Sequence, residues 1–255
     1  MQQLCWLVDA GAIRYDASLE LQRRVVEARK RASIPDVLIL CEHPHVITLG
    51  RNGKFEHLRA SDQLLRQMNV EFHPTDRGGD VTYHGPGQIV GYPILDLTAY
   101  RRDIRWYVDQ LEEVMIRATR DFGLAAHRSS ANHGVWVDSA SGEEKLAALG
   151  VHLSRWVTSH GFAFNVSTDL RYFDLIVPCG ISGSRATSLE RVLGHAVRLK
   201  PVRDQLAARF GEVFGSEMIP VTRERLEEAI STTEQKPELF ATPVAPAEAL
   251  KESRA

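Results

Sequence analysis

Five glycines, Gly78, Gly79, Gly85, Gly87 and Gly91, fall within the fourteen residues 78–91. Glycine loses more backbone freedom on ordering than any other residue, so such crowding excludes a helix and calls for tight turns. Arg77, Tyr83 and His84 are interleaved with them, and an apolar run follows from Ile89. The segment therefore reads as turns between strands, with backbone N–H groups that a ligand can approach closely. It matches neither the phosphate-cradling GxxxxGK(S/T) pattern nor a clean GxGxxG after a strand.

The rest of the chain supplies strands and helices around this segment. Residues 4–8 (LCWLV), 37–42 (VLILCE) and 46–50 (VITLG) read as strands, the second apolar enough to be covered on both faces. Residues 17–32 predict a helix with Leu21, Val25 and Ala28 on one stripe and Arg23, Arg24, Arg29 and Lys30 on the other. Ser61 is placed to cap a short helix over 61–68. A longer helix over 103–122 carries Ile104, Val108, Leu111, Met115 and Ala118 at helical spacing, with Asp103 as cap and Gly123 as stop. Residues 134–138, 145–153 and 161–166 read as strands joined by tight turns, and 201–214, opening on Pro201, as a last helix. This grouping predicts one α/β (α+β) domain. From about residue 232 Pro, Ala, Glu and Thr dominate without apolar period. The expected organisation is one catalytic domain over 1–231 and a flexible or loosely docked tail over 232–255.

Composition excludes several classes. A net charge of −2 gives no overall sign for nucleic-acid binding. The three cysteines, Cys5, Cys41 and Cys179, are too few and too scattered for a disulfide framework or a four-cysteine zinc site. No signal peptide and no run of about 20 apolar residues is present, so no membrane partner is expected and a cytoplasmic location is.

Two residue types invite chemistry. Lys145 opens an otherwise apolar strand in GEEKLAALGVHLSR (142–155), where a lysine is costly unless it has a partner or a task. Ala147, Ala148 and Gly150, with Gly161 and Ala163 on the next strand, are small enough for an extended acyl chain to lie across them. Cys179 sits between Pro178 and Gly180 after an apolar run, a turn that can present a thiol to a cleft. Cys5 and Cys41 lie in strand-like runs and read as core residues. Glu42, His43 and His45 complete no metal spacing and read as a polar strand end. His84, His152 and His160 are better site candidates because they fall within the two informative segments.

Together, RGGDVTYHGPGQIVGYPILDL (77–97), EEKLAALGVHLSRWVTSHGFAFNV (143–166) and IVPCGI (176–181) resemble the lipoyl(octanoyl) transferase family, over roughly residues 5–215. The resemblance implies a fold like that of biotin and lipoate protein ligases, a mixed sheet flanked by helices. It implies that Cys179 is the acyl-thioester nucleophile and that Lys145 lowers its pKa and shuttles protons. Arg77, Gly78, Gly79, Asp80, Val81, Thr82, Tyr83 and His84 would line the acyl path, with Ala148, Leu149, Gly150, Gly161, Phe162 and Ala163 completing it. The implied donor is octanoyl-acyl carrier protein; the implied acceptors are lipoyl domains of 2-oxoacid dehydrogenase complexes and the glycine cleavage H protein. No cofactor and no metal is expected, and the expected state is a monomer. The rivals are an ATP-dependent ligase on the same fold, which would not need Cys179, and a binding module without turnover. The basic clusters Arg23–Arg24, Arg29–Lys30–Arg31 and Arg101–Arg102–Arg105 are candidates to dock acidic partners, or simply solvated faces.

Overall fold

The apolar stretches pair into two sheets. The computed structural model describes residues 3–129, 132–140, 142–177 and 185–234. The larger sheet has eight strands. Seven follow the order β10-β8-β9-β6-β2-β1-β11, and β7 pairs with β8. Their bounds are β1 Gln3–Ala12, β2 Asp36–Glu42, β6 Gln88–Ile94, β7 Val135–Ser139, β8 Gly142–Ser154, β9 Val157–Asn165, β10 Arg185–Ala186 and β11 Ser216–Pro220. β1 is parallel to β2 and β11, and β10 to β8; the other pairs are antiparallel. A three-stranded sheet, β4-β3-β5, is formed by β3 (Val46–Leu49), β4 (Glu71–Pro74) and β5 (Val81–His84). This is the mixed sheet flanked by helices that the resemblance implies.

Helices cover the larger sheet. α1 (Tyr15–Lys30) buries Leu21, Val25 and Ala28, as its stripe requires, in a cluster with Val37, Ile39, Val90 and Tyr92. Its basic side needs correction: Arg29 is not solvated but tucked against Asp36 at 2.7 Å. Asp36 is almost fully buried, and a buried carboxylate without a cationic partner would cost several kcal/mol, roughly. α3 (Ile104–Arg120) starts where Asp103 accepts from the N–H groups of Arg105 and Trp106. Tyr107, Leu111, Val114, Met115 and Ala118 pack with Phe210 and Phe214 of α5 (Leu199–Phe214). Ile104, expected on that stripe, is exposed. α2 (Asp62–Gln67) carries the Ser61 cap; α4 (Leu189–Leu193) and α6 (Arg223–Glu234) complete the set.

Five elements do not follow from the local sequence pattern: β4, β10, α4, β11 and α6. α6 runs through residue 232, so the expected domain boundary falls inside a helix. Residues 235–255, where the remaining tail was expected, are outside the described residues. No described helix is long and apolar enough to cross a membrane.

Candidate active site

β8 and β9 build the floor of a cavity. Their register sets Ala148 opposite Ala163, Leu149 opposite Phe162 and Gly150 opposite Gly161. Because side chains alternate along a strand, Ala147 points into the core while Ala148 and Gly150 leave the other face low. The resulting space is about 350 Å³ and is bounded by Arg77–Thr82, His84, Lys145, 148–151 and 160–163. Of the expected wall residues among those described, all but Tyr83 line it. Tyr83 alternates to the far side of β5, where its hydroxyl meets His45 Nδ1 at 2.7 Å and its ring stacks on Tyr172. That is a correction forced by strand periodicity.

The glycine-rich wall is fixed by backbone. Gly78 N–H donates to Val151 O, Gly50 N–H to Asp80 O and Asn52 N–H to Gly79 O. Gly79 and Gly87 adopt positive φ (84° and 81°), where a side chain would be strained. A Cβ on Gly150 would stand 2.9 Å from Gly78 O and 3.0 Å from Arg77 Cδ, so this approach depends on its absence. Arg77 anchors the wall. Its guanidinium donates to Thr48 O (2.7 Å), Thr48 Oγ1 (2.9 and 3.1 Å) and Gly78 O (3.0 Å).

Lys145 occupies one end of the cavity. Its Nζ stands 4.6 Å from the centroid of the Trp136 ring. That ring is oriented by an Nε1–H donation to Asn132 O. Glu112, buried, accepts from Gly134 N–H and Arg128 Nε and so holds the turn beside the lysine stem. Cys179 lies outside the described residues. Its flanks are tied down: Val177 N–H donates to His57 O, and Ala186 of β10 pairs with Lys145. Lys145 O also accepts from Thr187 N–H. The chain thus leaves the described region two residues before Cys179 and returns six residues after it, alongside Lys145.

Histidines line the same space. His84 and His160 are buried and face it; His152 lies just beyond, and its Nε2 is 3.8 Å from Asp76 Oδ2. His160 Nε2 meets Asp76 Oδ1 at 2.8 Å, and that hydrogen bond holds the Asp76 carboxyl well below the usual carboxylate range. Burial pulls His84 down to about 3 and His43 down to about 4, so both rings are neutral at neutral pH. His43 donates from Nδ1 to Ile13 O and accepts from Tyr92 OH, which leaves it no valence for a metal. Glu42 instead accepts from Arg203 and Gly87 N–H. Cys5 and Cys41 are fully buried, and burial pushes both thiols far up, as inert core residues require.

Several cavity residues escaped the sequence reading: Tyr15, Val90, Tyr92, Val108, Asn132, His133 and Val151. Tyr92 carried a signal, since it belongs to the glycine-rich string. Tyr15 carried none, because it opens a helix 62 residues before Arg77.

Comparison with known proteins places the chain in a family. The profile of the lipoyl protein ligase A/B catalytic domain matches residues 14–211. An octanoyltransferase of Solibacter usitatus is 51% identical over 216 residues, covering 85% of this chain and 96% of its own length. One of Caldicellulosiruptor bescii is 46% identical over 225 residues, covering 88% and 96%. Among solved structures, the bipartite lipoate protein ligase of Thermoplasma acidophilum superposes with a TM-score of 0.70 at 16% identity, covering 92% of this chain and 93% of its own. Lipoate-protein ligase A bound with ATP gives 0.69 at 16% identity, covering 92% and 95%. The structural likeness is one of fold; the sequence likeness, over most of both chains, means that the chain belongs to the octanoyltransferases of the lipoyl protein ligase A/B catalytic domain family.

Proposed function

We propose that this enzyme, an octanoyltransferase of protein lipoylation, works through a thioester on Cys179. In this reading octanoyl-acyl carrier protein is the donor, and a lysine of lipoyl domains or of the glycine cleavage H protein is the acceptor. The observation that carries the reading is the convergence on Lys145. The strand that follows Cys179 by six residues lies along β8 with Ala186 opposite Lys145, at the end of an acyl-sized cavity.

The proton inventory then closes. Lys145 as ammonium favours the Cys179 thiolate, which is the competent nucleophile. The thiolate attacks the donor thioester; the carrier's sulfur leaves and takes a proton from Lys145. The amine of the target lysine then attacks the acyl-enzyme. A C–N bond forms, the C–S bond breaks with its electron pair on Sγ, and the now neutral Lys145 takes one amine proton. The thiolate–ammonium pair is restored. A thioester becomes an amide, a downhill exchange that needs no ATP and no cofactor. Cytosolic reducing conditions suit a free catalytic thiol.

The test is transfer from octanoyl carrier protein to an apo lipoyl domain with ATP omitted. The unaltered enzyme is expected to turn over, and Cys179→Ser to lose at least on the order of a thousandfold in rate. An ATP requirement, or a Cys179→Ser protein of full activity, would replace this reading with an adenylate-forming ligase.

A further inference from the structure

A line of buried polar side chains joins the cavity wall to the strand beside Lys145. His84 Nδ1 meets Gln88 Oε1 at 2.7 Å. Gln88 Nε2 reaches Tyr83 O at 3.2 Å and Asn165 Oδ1 at 2.9 Å. Asn165 Nδ2 reaches Thr187 O at 2.9 Å. All three side chains, His84, Gln88 and Asn165, are at least nine-tenths buried.

The two backbone carbonyls at Tyr83 and Thr187 settle every orientation in the line. A carbonyl only accepts, so Gln88 and Asn165 must each turn their NH₂ group toward one. Gln88 Oε1 is therefore the atom that faces His84. An amide oxygen only accepts too, so the proton of the neutral ring sits on Nδ1. Nε2 is left with a bare lone pair. It has no hydrogen-bond partner among the described residues, and the ring lines the cavity. Burial, which keeps the imidazole neutral, preserves that state.

Position and chemistry then select the role. Gln88 stands opposite Asn165, and Phe164 opposite Ala147, so this row lies at the Lys145 end of the sheet. A lone pair there repels a thioester carbonyl oxygen and has nothing to bind on an alkyl chain. Among the groups the substrates bring, the incoming amine offers N–H donors. We propose that His84 Nε2 accepts an N–H of the attacking lysine amine, and that Gln88 and Asn165 are positioning residues that fix the tautomer able to do so. The inference rests on the thioester reading above. Of the two amine hydrogens, one passes to Lys145; the other stays on nitrogen, held by His84, and becomes the amide N–H of the product. His84 need not become protonated, which suits its environment.

Two measurements test this. In the unaltered protein, ¹⁵N shifts of the His84 ring are expected to show Nδ1 protonated and Nε2 bare between about pH 6 and 8. A proton on Nε2, or a cationic ring in that range, overturns the proposal without recourse to any variant. Single-turnover rates of acylation by octanoyl carrier protein, and of deacylation by apo lipoyl domain, form the second test. The ratio of deacylation to acylation is expected to fall at least about tenfold in His84→Phe, and less in Gln88→Met. An unchanged ratio, with both steps slowed alike or neither slowed, overturns the role of His84 while leaving the thioester intact. Absence of any acyl-enzyme in the unaltered protein instead overturns the underlying reading, and this inference with it.

Discussion

Among the described residues, Arg77 and Lys145 are the cationic side chains that line the cavity, and they are held in opposite ways. Arg77 is 7% exposed, and its planar guanidinium is spent on Thr48 and Gly78. Lys145 is half-buried, on a strand flanked by β7 and β10, with its ammonium over the face of Trp136. A guanidinium with a fixed fork, always charged, suits a structural bracket; a compact ammonium on a flexible stem suits proton traffic. The wall around Arg77 is therefore read as architecture, and the strand around Lys145 as chemistry.

The sharpest way to break that contrast is Lys145→Met. Transfer is expected to fall by on the order of a hundred- to a thousandfold, equivalent to about 3–4 kcal/mol of barrier. Denaturant unfolding should stay within about 1 kcal/mol of the unaltered protein, because a surface-reaching ammonium contributes little to stability. The pH profile of Cys179 alkylation should move upward; an unmoved profile would strip Lys145 of its role.

Next in size is a pH effect at two buried histidines, His84 in the wall and His43 packed edge-on against it. An unfolded histidine binds a proton near pH 6.5, whereas His43 and His84 do so only at about 4 and about 3 when folded. Between these values acid protonates the unfolded chain first, so stability is fully present above about pH 6.5 and falls as pH drops. Unfolding curves at pH 7 and 5.5 should differ by about 2.5 kcal/mol, shared about equally between the two rings. His43→Leu should roughly halve that difference.

Arg77→Met tests the bracket. It strands Thr48 O and Gly78 O, and hydrogen bonds from a charged donor contribute about 1.5–3 kcal/mol. The expected result is a loss of about 2–3 kcal/mol in stability, with any residual activity following the folded fraction. Gly150→Ala is the mildest change: its Cβ crowds Gly78 O and Arg77 Cδ, a strain of about 1–2 kcal/mol visible in the melting temperature.

Much of this was legible in the sequence because local rules and tertiary demands agree. The small residues Ala148, Gly150, Gly161 and Ala163 meet across one strand pair, as their spacing suggests. Ser61 and Asp103 cap where they should. The failures share one cause, a neighbour set by tertiary packing rather than by local pattern. Arg29 looks like a surface charge until Asp36 is placed beside it. Tyr83 sits within an informative string, yet the pleat of β5 turns it toward His45. Tyr15 reaches the cavity only because α1 packs against the sheet next to the wall. Val108 likewise reads as a core position by period but lies at the cavity edge.

The central claim, an octanoyl thioester on Cys179, is tested most directly by intact mass measurement after mixing with octanoyl carrier protein. The account predicts one octanoyl adduct that maps to Cys179 and is released by apo lipoyl domain at the rate of turnover. Turnover without an adduct, or an adduct on another residue, would contradict it.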